Sequence, residues 1–382
     1  MGGLNLRQLT LREIGMPLKH AFETSFGVTT ERRIIIVEAL DESGALGYGE
    51  CTAMEQPLFN HESVDAAWTV IIGSICPMLS SMPPTSAAAF ANSLSSIRGN
   101  RMAIAAVENA VWDLEAKLLG IPLWKHLGGV RETINTGVSI GLQKSVDVLI
   151  EKVAKEVDAG YQRIKLKIKP GHDIKLVDAV RARFGNILLS VDANSAYTLD
   201  DISVFEALDD HELLMIEQPL QPGDLIDHSK LQKKIRTSIC LDESITSLRD
   251  AEQALEIDAC RIINIKLGRV GGHTEAKRIQ ELALSKNIPV WCGGMLETGV
   301  GRAHNIAMAT LEGFSLPGDI SASARYWDED IVESPVVVSP DGTINAPSGP
   351  GIGFEVRDDL IDSLCTRSES YPFSPAKAVV GS

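Results

Sequence analysis

Five short apolar runs decide how the chain folds: RIKLKI (163–168), ILLSVDAN (187–194), LLMIEQP (213–219), SICLDES (238–244) and RIINIKLG (261–268). Each carries an ionisable residue near its end: Lys167, Asp192, Glu217, Asp242 and Lys266. These recur about every 25 positions, the length that one strand, one helix and two short loops occupy. Runs this apolar suit strands buried on both faces, hence a parallel sheet with helical crossovers. Charges at the carboxyl ends of consecutive parallel strands stand where a (β/α) barrel places its chemistry.

Outward from this stretch the rhythm continues. TGVSIG (136–141) precedes it as a first strand, IPVWCGG (288–294) follows as a seventh, and FSLPGDI (314–320) is the weakest candidate, for the eighth. Amphipathic segments such as SVDVLIEKVAKEVDAG (145–160) lie between the strands, with apolar residues at spacings of three and four. Upstream the pattern differs. LNLRQLTLREI (4–14), RRIIIVEAL (32–40) and ALGYGE (45–50) alternate like strands, and MPLKHAFETSFGVTTE (16–31) reads as an exposed loop. AIAAVENAVWDLEAKLLG (103–120) then reads as a helix that stops at Gly120, with Pro122 beyond. Strands followed by helices, rather than alternating with them, indicate a separate domain. The expected fold class is therefore α/β: a (β/α)7β barrel over residues 131–325 with an N-terminal α+β capping domain over 1–130. Residues 326–382 form a C-terminal segment expected to pack back on the cap domain.

Composition narrows the function. A chain of 382 residues is large for one core, in keeping with a barrel plus a smaller domain. A formal charge of −15 argues against nucleic acid and against an anionic membrane surface. No signal peptide opens the chain and no apolar run approaches membrane-spanning length, so a cytoplasmic location is expected. The six cysteines are widely spaced without a CxxC pair, and Cys240 and Cys292 sit inside apolar runs as small core residues.

Asp192, Glu217 and Asp242 end three adjacent strands. Carboxylates brought this close repel unless they take up protons or share a cation. An all-oxygen set with positions left for water and substrate suits a hard divalent ion, Mg²⁺ with Mn²⁺ as an alternative. Read singly, each acid is an ordinary strand-end charge; the common period favours the shared ion. Asn194 has the strand parity of Asp192, one step nearer the mouth. Lys167 and Lys266 end the second and sixth strands, half a circumference apart in an eight-stranded barrel, so a substrate between them meets one amine on each face. Charge balance alone would also explain these lysines. To act as bases at neutral pH, they need their ordinary value near 10.4 lowered. Lys165 shares the parity of Lys167, and Arg269 lies three residues beyond Lys266; both bring positive charge near. A metal-bound carboxylate flanked by amines fits abstraction of the proton α to a carboxylate. Glu297, in MLETGVGR, reads equally as a mouth residue or a helix-start charge.

KLK, VDAN, IEQP, LDES and NIK, in that order, resemble the enolase superfamily in its muconate-lactonising-enzyme-like branch. AFETSFG, GVSIG, YQRIKLKIKPG, VDANSAYTL, IEQPL, CLDESI, INIKLGRVGG, PVWCGGMLETGVGRAHN and LPGDISAS narrow it to the o-succinylbenzoate synthase/N-acylamino acid racemase family, over essentially the whole chain. The resemblance implies Lys167 and Lys266 as acid–base residues, Asp192, Glu217 and Asp242 as Mg²⁺ ligands, and Lys165 as the companion lysine. It also implies supporting or substrate contacts from Asn194, Ser139, Gly294, Met295 and Arg269, and from a cap loop around Phe22, Thr24, Ser25 and Phe26. A second cap segment near Pro57 and Phe59 joins that loop, with Phe59 where relatives often carry tyrosine. Leu267 stands where the family usually has proline. The implied chemistry is elimination of water from a cyclohexadiene carboxylate (SHCHC) to give o-succinylbenzoate, a step of menaquinone synthesis. Racemisation of N-acyl or N-succinyl amino acids uses the same lysines, one on each face. A small-molecule carboxylate substrate and a homo-oligomer, with no nucleic-acid or membrane partner, complete the expectation.

Two rivals come from other classes. A Schiff-base aldolase uses a strand-six lysine but has no need of three carboxylates. A non-catalytic barrel has no reason to keep acid, base and metal positions together.

Overall fold

The computed structural model describes residues 4–25 and 27–373. Three antiparallel strands open the chain: β1 (Leu6–Glu23), β2 (Val28–Asp41) and β3 (Leu46–Cys51). Leu9 and Leu11, two apart on β1, are fully buried, as are Ile35 and Val37 on β2. The expectation of a loop over 16–31 is corrected. Met16 and Pro17 pair with Arg32 and Glu31, while Phe22 and Glu23 pair with Thr29 and Val28. This end of the hairpin carries mainly exposed or half-buried side chains, so its backbone pairing left no apolar alternation to read. Its ladder is also irregular between Pro17 and Phe22, where proline offers no amide hydrogen.

The helix Arg101–Leu118 lies against this sheet. A Cβ at Gly47 or Gly49 would run into the carbonyl oxygens of Ala110 and Ala106, so these glycines let the helix backbone rest directly on β3. The helix ends as its sequence indicates, with Gly120 in the left-handed region at φ 67°. A second expectation needs correction. Residues Val64–Ser81 run as one helical stretch of 18 residues, long and apolar enough to compare with a membrane span. Its Trp68, Ile71, Ile75 and Leu79 are buried in the protein's own core.

The short strand β4 (Thr133–Asn135) leads into β5 (Gly137–Ile140), β6 (Arg163–Lys167), β7 (Leu188–Asp192), β8 (Ile216–Glu217), β9 (Ile239–Leu241), β10 (Ile262–Ile265) and β11 (Val290–Cys292). β5 to β11 form a seven-stranded parallel sheet in sequence order. The eighth run, 314–320, makes no regular strand. It closes the gap by single bridges, Phe314 to Val290 on one side and Gly318 to Thr136 on the other. Gly137 N donates to Gly318 O at 2.7 Å, and Asp319 N to Cys292 O at 2.8 Å. Pro317 within the run removes a ladder donor, which accounts for bridges in place of a strand. Beyond the barrel, β12 (Thr343–Asn345) pairs antiparallel with β4, and β13 (Cys365–Pro372) pairs antiparallel with β1. All six cysteines are free thiols, and Cys240 and Cys292 are buried as expected.

Candidate active site

Parallel register sets the strand-end charges side by side. Lys167 on β6 pairs with Asp192 on β7, and Asp192 pairs with Glu217 on β8. Asp242 follows β9 by one residue and Lys266 follows β10 by one. All five are buried, with none more than 8% exposed. Burial of this much charge is tolerable only if the charges meet, and they interlock. Lys167 Nζ lies 2.7 Å from Asp192 Oδ2 and donates to Asn194 Oδ1 at 2.6 Å. Lys266 Nζ lies 2.7 Å from Asp242 Oδ2, whose other oxygen is held by Arg269. Lys165 Nζ reaches Glu217 at 2.7 Å, Asp192 at 3.2 Å and Asp319 at 2.6 Å. Asn264 Nδ2 donates to the other Glu217 oxygen at 2.8 Å.

The resulting shifts have clear causes. Burial alone would raise Asp192, but Lys167 and then Lys165 outweigh it and hold the carboxyl well below its usual range. Asp242 is lowered in the same way, against burial, by Lys266 and Arg269. Glu217 goes the other way, pushed up to about 7 by burial first and then by the Asp192 charge. Lys266 departs from the sequence expectation. Burial would lower it, but Asp242, Glu217 and Glu243 outweigh burial and raise it.

The lysines face a cavity of roughly 720 Å³, counted with its open mouth, and their amines hold the three acids. Lys165, Lys167, Lys266, Asn194, Ser139, Gly294, Met295 and Phe22 line it, as does Thr24. Ser25 is close by, its Oγ donating to Asn194 O at 3.3 Å. Phe26 lies outside the described residues. Arg269 does not line the cavity; it holds Asp242 and donates through Nε to Ile245 O at 2.6 Å. Glu297 does line it, and it also directly precedes Thr298, the N-cap of the helix Gly299–Ala309, so both of its readings hold. Backbone strain gathers here too: Asn194, Ser195, Gln218 and Leu296 all hold positive φ without being glycine.

Two acidic residues escaped the sequence reading. Asp319 stands at the end of the eighth run, between Lys165 and Arg163. The rule that found the other five, a charge closing an apolar run, would have found it had FSLPGDI been a stronger strand. Glu243, beside Asp242, accepts from Asn194 Nδ2 at 2.8 Å and is pushed up to about 8 by burial, then by Asp242 and Asp192.

The donor set suits a hard divalent ion. The backbone holds the three carboxylates on neighbouring strand ends, and Glu217 is raised by burial first and then by the Asp192 charge beside it. Among the described residues no three His, Cys, Asp or Glu side chains converge on one point. Lys165, Lys167, Lys266 and Arg269 stand between them and take their oxygens.

Comparison with known proteins places the chain in a family. Residues 148–360 match the family model "Enolase C-terminal domain-like", and residues 7–128 match the "Mandelate racemase / muconate lactonizing enzyme, N-terminal domain". The chain is 50% identical to an o-succinylbenzoate synthase of Geobacillus kaustophilus over 353 residues, covering 92% of this chain and 94% of that one. It is 45% identical to an N-succinylamino acid racemase of Thermus thermophilus over 361 residues, covering 94% and 97%. A crystal structure of an enolase-superfamily member from Listeria innocua superposes with a TM-score of 0.94 at 42% identity, covering 97% of this chain and all of the other. The chain is an enzyme of the enolase superfamily and belongs to its muconate-lactonizing-enzyme-like family of o-succinylbenzoate synthases and N-succinylamino acid racemases.

Proposed function

We propose that this enzyme removes the proton α to a carboxylate, and that its main reaction is the dehydration of SHCHC to o-succinylbenzoate in menaquinone biosynthesis. The observation that carries this reading is the pair Lys167 and Lys266. They line one cavity from strands four places apart in the sheet, each beside a buried carboxylate. Family membership implies a divalent metal; we assign Mg²⁺, held by Asp192, Glu217 and Asp242. Bound there, the ion would supply positive charge beside the substrate carboxylate and lower the cost of removing the α-proton.

This chain's residues do the rest. Lys167 takes the α-proton; the carbon–hydrogen pair forms the ring double bond as the β-carbon–oxygen bond breaks. The leaving hydroxide collects the proton from Lys167 and departs as water, so the base is regenerated. Lys266 keeps its proton and faces the ring as a fixed charge. Asn194 holds Lys167 from the mouth side. In this reading residues 1–130 act as the cap, 131–325 as the barrel, and the segment from 326 braces the cap through β13. The enzyme acts in the cytoplasm, as a homo-oligomer, on a small-molecule carboxylate.

A second reading, racemisation of N-succinyl or other N-acyl amino acids, is permitted by the same two lysines, which would then each carry a proton on one face. Purified protein given Mg²⁺ and SHCHC should form o-succinylbenzoate. Formation of none, with rapid racemisation of N-succinyl amino acids, would replace the first reading by the second.

A further inference from the structure

Lys165 is held by three carboxylates at once, and they are not equivalent. Glu217 at 2.7 Å and Asp192 at 3.2 Å belong to the proposed metal set; Asp319 at 2.6 Å does not. An ammonium this close to two ligand oxygens competes with a divalent ion for them. When those oxygens turn to a metal, Lys165 is left buried next to a second cation unless it has a carboxylate of its own.

Asp319 is built to be that carboxylate. Its backbone N donates to Cys292 O at 2.8 Å, fixing it to β11. Its other oxygen is held by Arg163, a fully buried guanidinium stacked 4.5 Å from the Trp291 ring centroid. Lys165 Nζ lies 4.8 Å from the same ring, so one indole backs both cations. Anchored on two sides, Asp319 cannot swing away with Lys165 or join the metal set without breaking its own contacts.

We propose that Asp319 is a positioning residue that retains Lys165, so that the lysine and a divalent metal occupy the site together. The proposal rests on the metal assignment made above. It predicts a coupling between Asp319 and Lys165 in metal affinity, which a role in folding alone would not produce.

The test is titration calorimetry of Mg²⁺ into metal-free full-length protein, for four proteins: wild type, Asp319→Asn, Lys165→Met, and the double variant. Asp319→Asn should weaken Mg²⁺ binding by about 10- to 100-fold, the usual cost of losing a residue that supports a metal ligand. Lys165→Met should bind at least as tightly as wild type. Adding Asp319→Asn to Lys165→Met should then cost less than about 3-fold, because the competing ammonium is gone. An equal loss in both backgrounds would overturn the proposal, showing that Asp319 acts through its own charge; so would no loss in either. If Asp319→Asn does not fold, as judged by circular dichroism, Asp319→Ser takes its place in both backgrounds. A wild type that binds no Mg²⁺ would sink the metal assignment itself, a result distinct from equal losses.

Discussion

Lys266 and Phe59 meet between barrel and cap: the lysine Nζ lies 4.5 Å from the centroid of the phenylalanine ring. The ring comes from the cap segment, is itself buried, and shields the amine from solvent while favouring its charged form. The cap therefore contributes to the electrostatics of the barrel site as well as to its shape.

Phe59→Ala should expose Lys266 to water and remove a cation–π contact worth about 0.5–2 kcal/mol. That corresponds to a fall in kcat/KM of roughly 2- to 30-fold, and Phe59→Tyr should stay close to wild type. Steady-state kinetics with SHCHC would show it; unchanged values for Phe59→Ala would mean that the ring is only packing.

Asp242→Asn should weaken Mg²⁺ binding at least about 10-fold. It also leaves Lys266 and Arg269 facing an uncharged amide in a buried place, so stability should fall, by up to about 3–5 kcal/mol. Calorimetry and thermal unfolding read the two effects separately. Full activity after exhaustive chelation would contradict the metal assignment for the wild type as well.

Away from the site, Glu108 and Glu50 join the cap to two barrel helices. Glu108 accepts from Thr274 N at 3.1 Å at the start of the helix His273–Ser285. Glu50 accepts from Thr298 N and Gly301 N at the start of the helix Gly299–Ala309. Burial, the largest cause, pushes each up to about 7 from 4.5. Below 4.5 both folded and unfolded forms hold the proton; between 4.5 and about 7 the folded form holds more, so stability falls as pH rises through that window. Each group contributes a slope of at most about 1.4 kcal/mol per pH unit. Glu108→Gln should flatten the pH dependence of urea-unfolding stability between about pH 5 and 7; identical slopes for wild type and variant would contradict the account.

The sequence exposed most where burial and charge coincide. Each of β6 to β10 is a buried apolar run that ends in, or is followed at once by, its ionisable residue, a pattern with few alternative readings. The eighth position was faint because Pro317 and Gly318 interrupt it, and Asp319 was lost with it. The β1–β2 hairpin end is hard to read because exposed paired backbone imposes no apolar alternation, as at Pro17 and Glu31. The direction of the Lys266 shift was out of reach for another reason. It depends on Asp242 lying 2.7 Å away, and a spacing of 24 residues along the chain does not supply that distance.

The central claim is that Lys167 and Lys266 flank one substrate carbon from opposite faces, as base and fixed charge in the dehydration and as two proton carriers where the enzyme racemises an N-succinyl amino acid. Arginine at position 266 keeps the positive charge but does not accept a proton at neutral pH. Deuterium incorporation from D₂O into both enantiomers of an N-succinyl amino acid, followed by NMR for wild type and Lys266→Arg, tests this most directly. The account predicts that wild type exchanges the α-proton of both enantiomers, and that Lys266→Arg retains exchange from one enantiomer only, the one presented to Lys167. Exchange of both enantiomers by Lys266→Arg at the wild-type rate would contradict it.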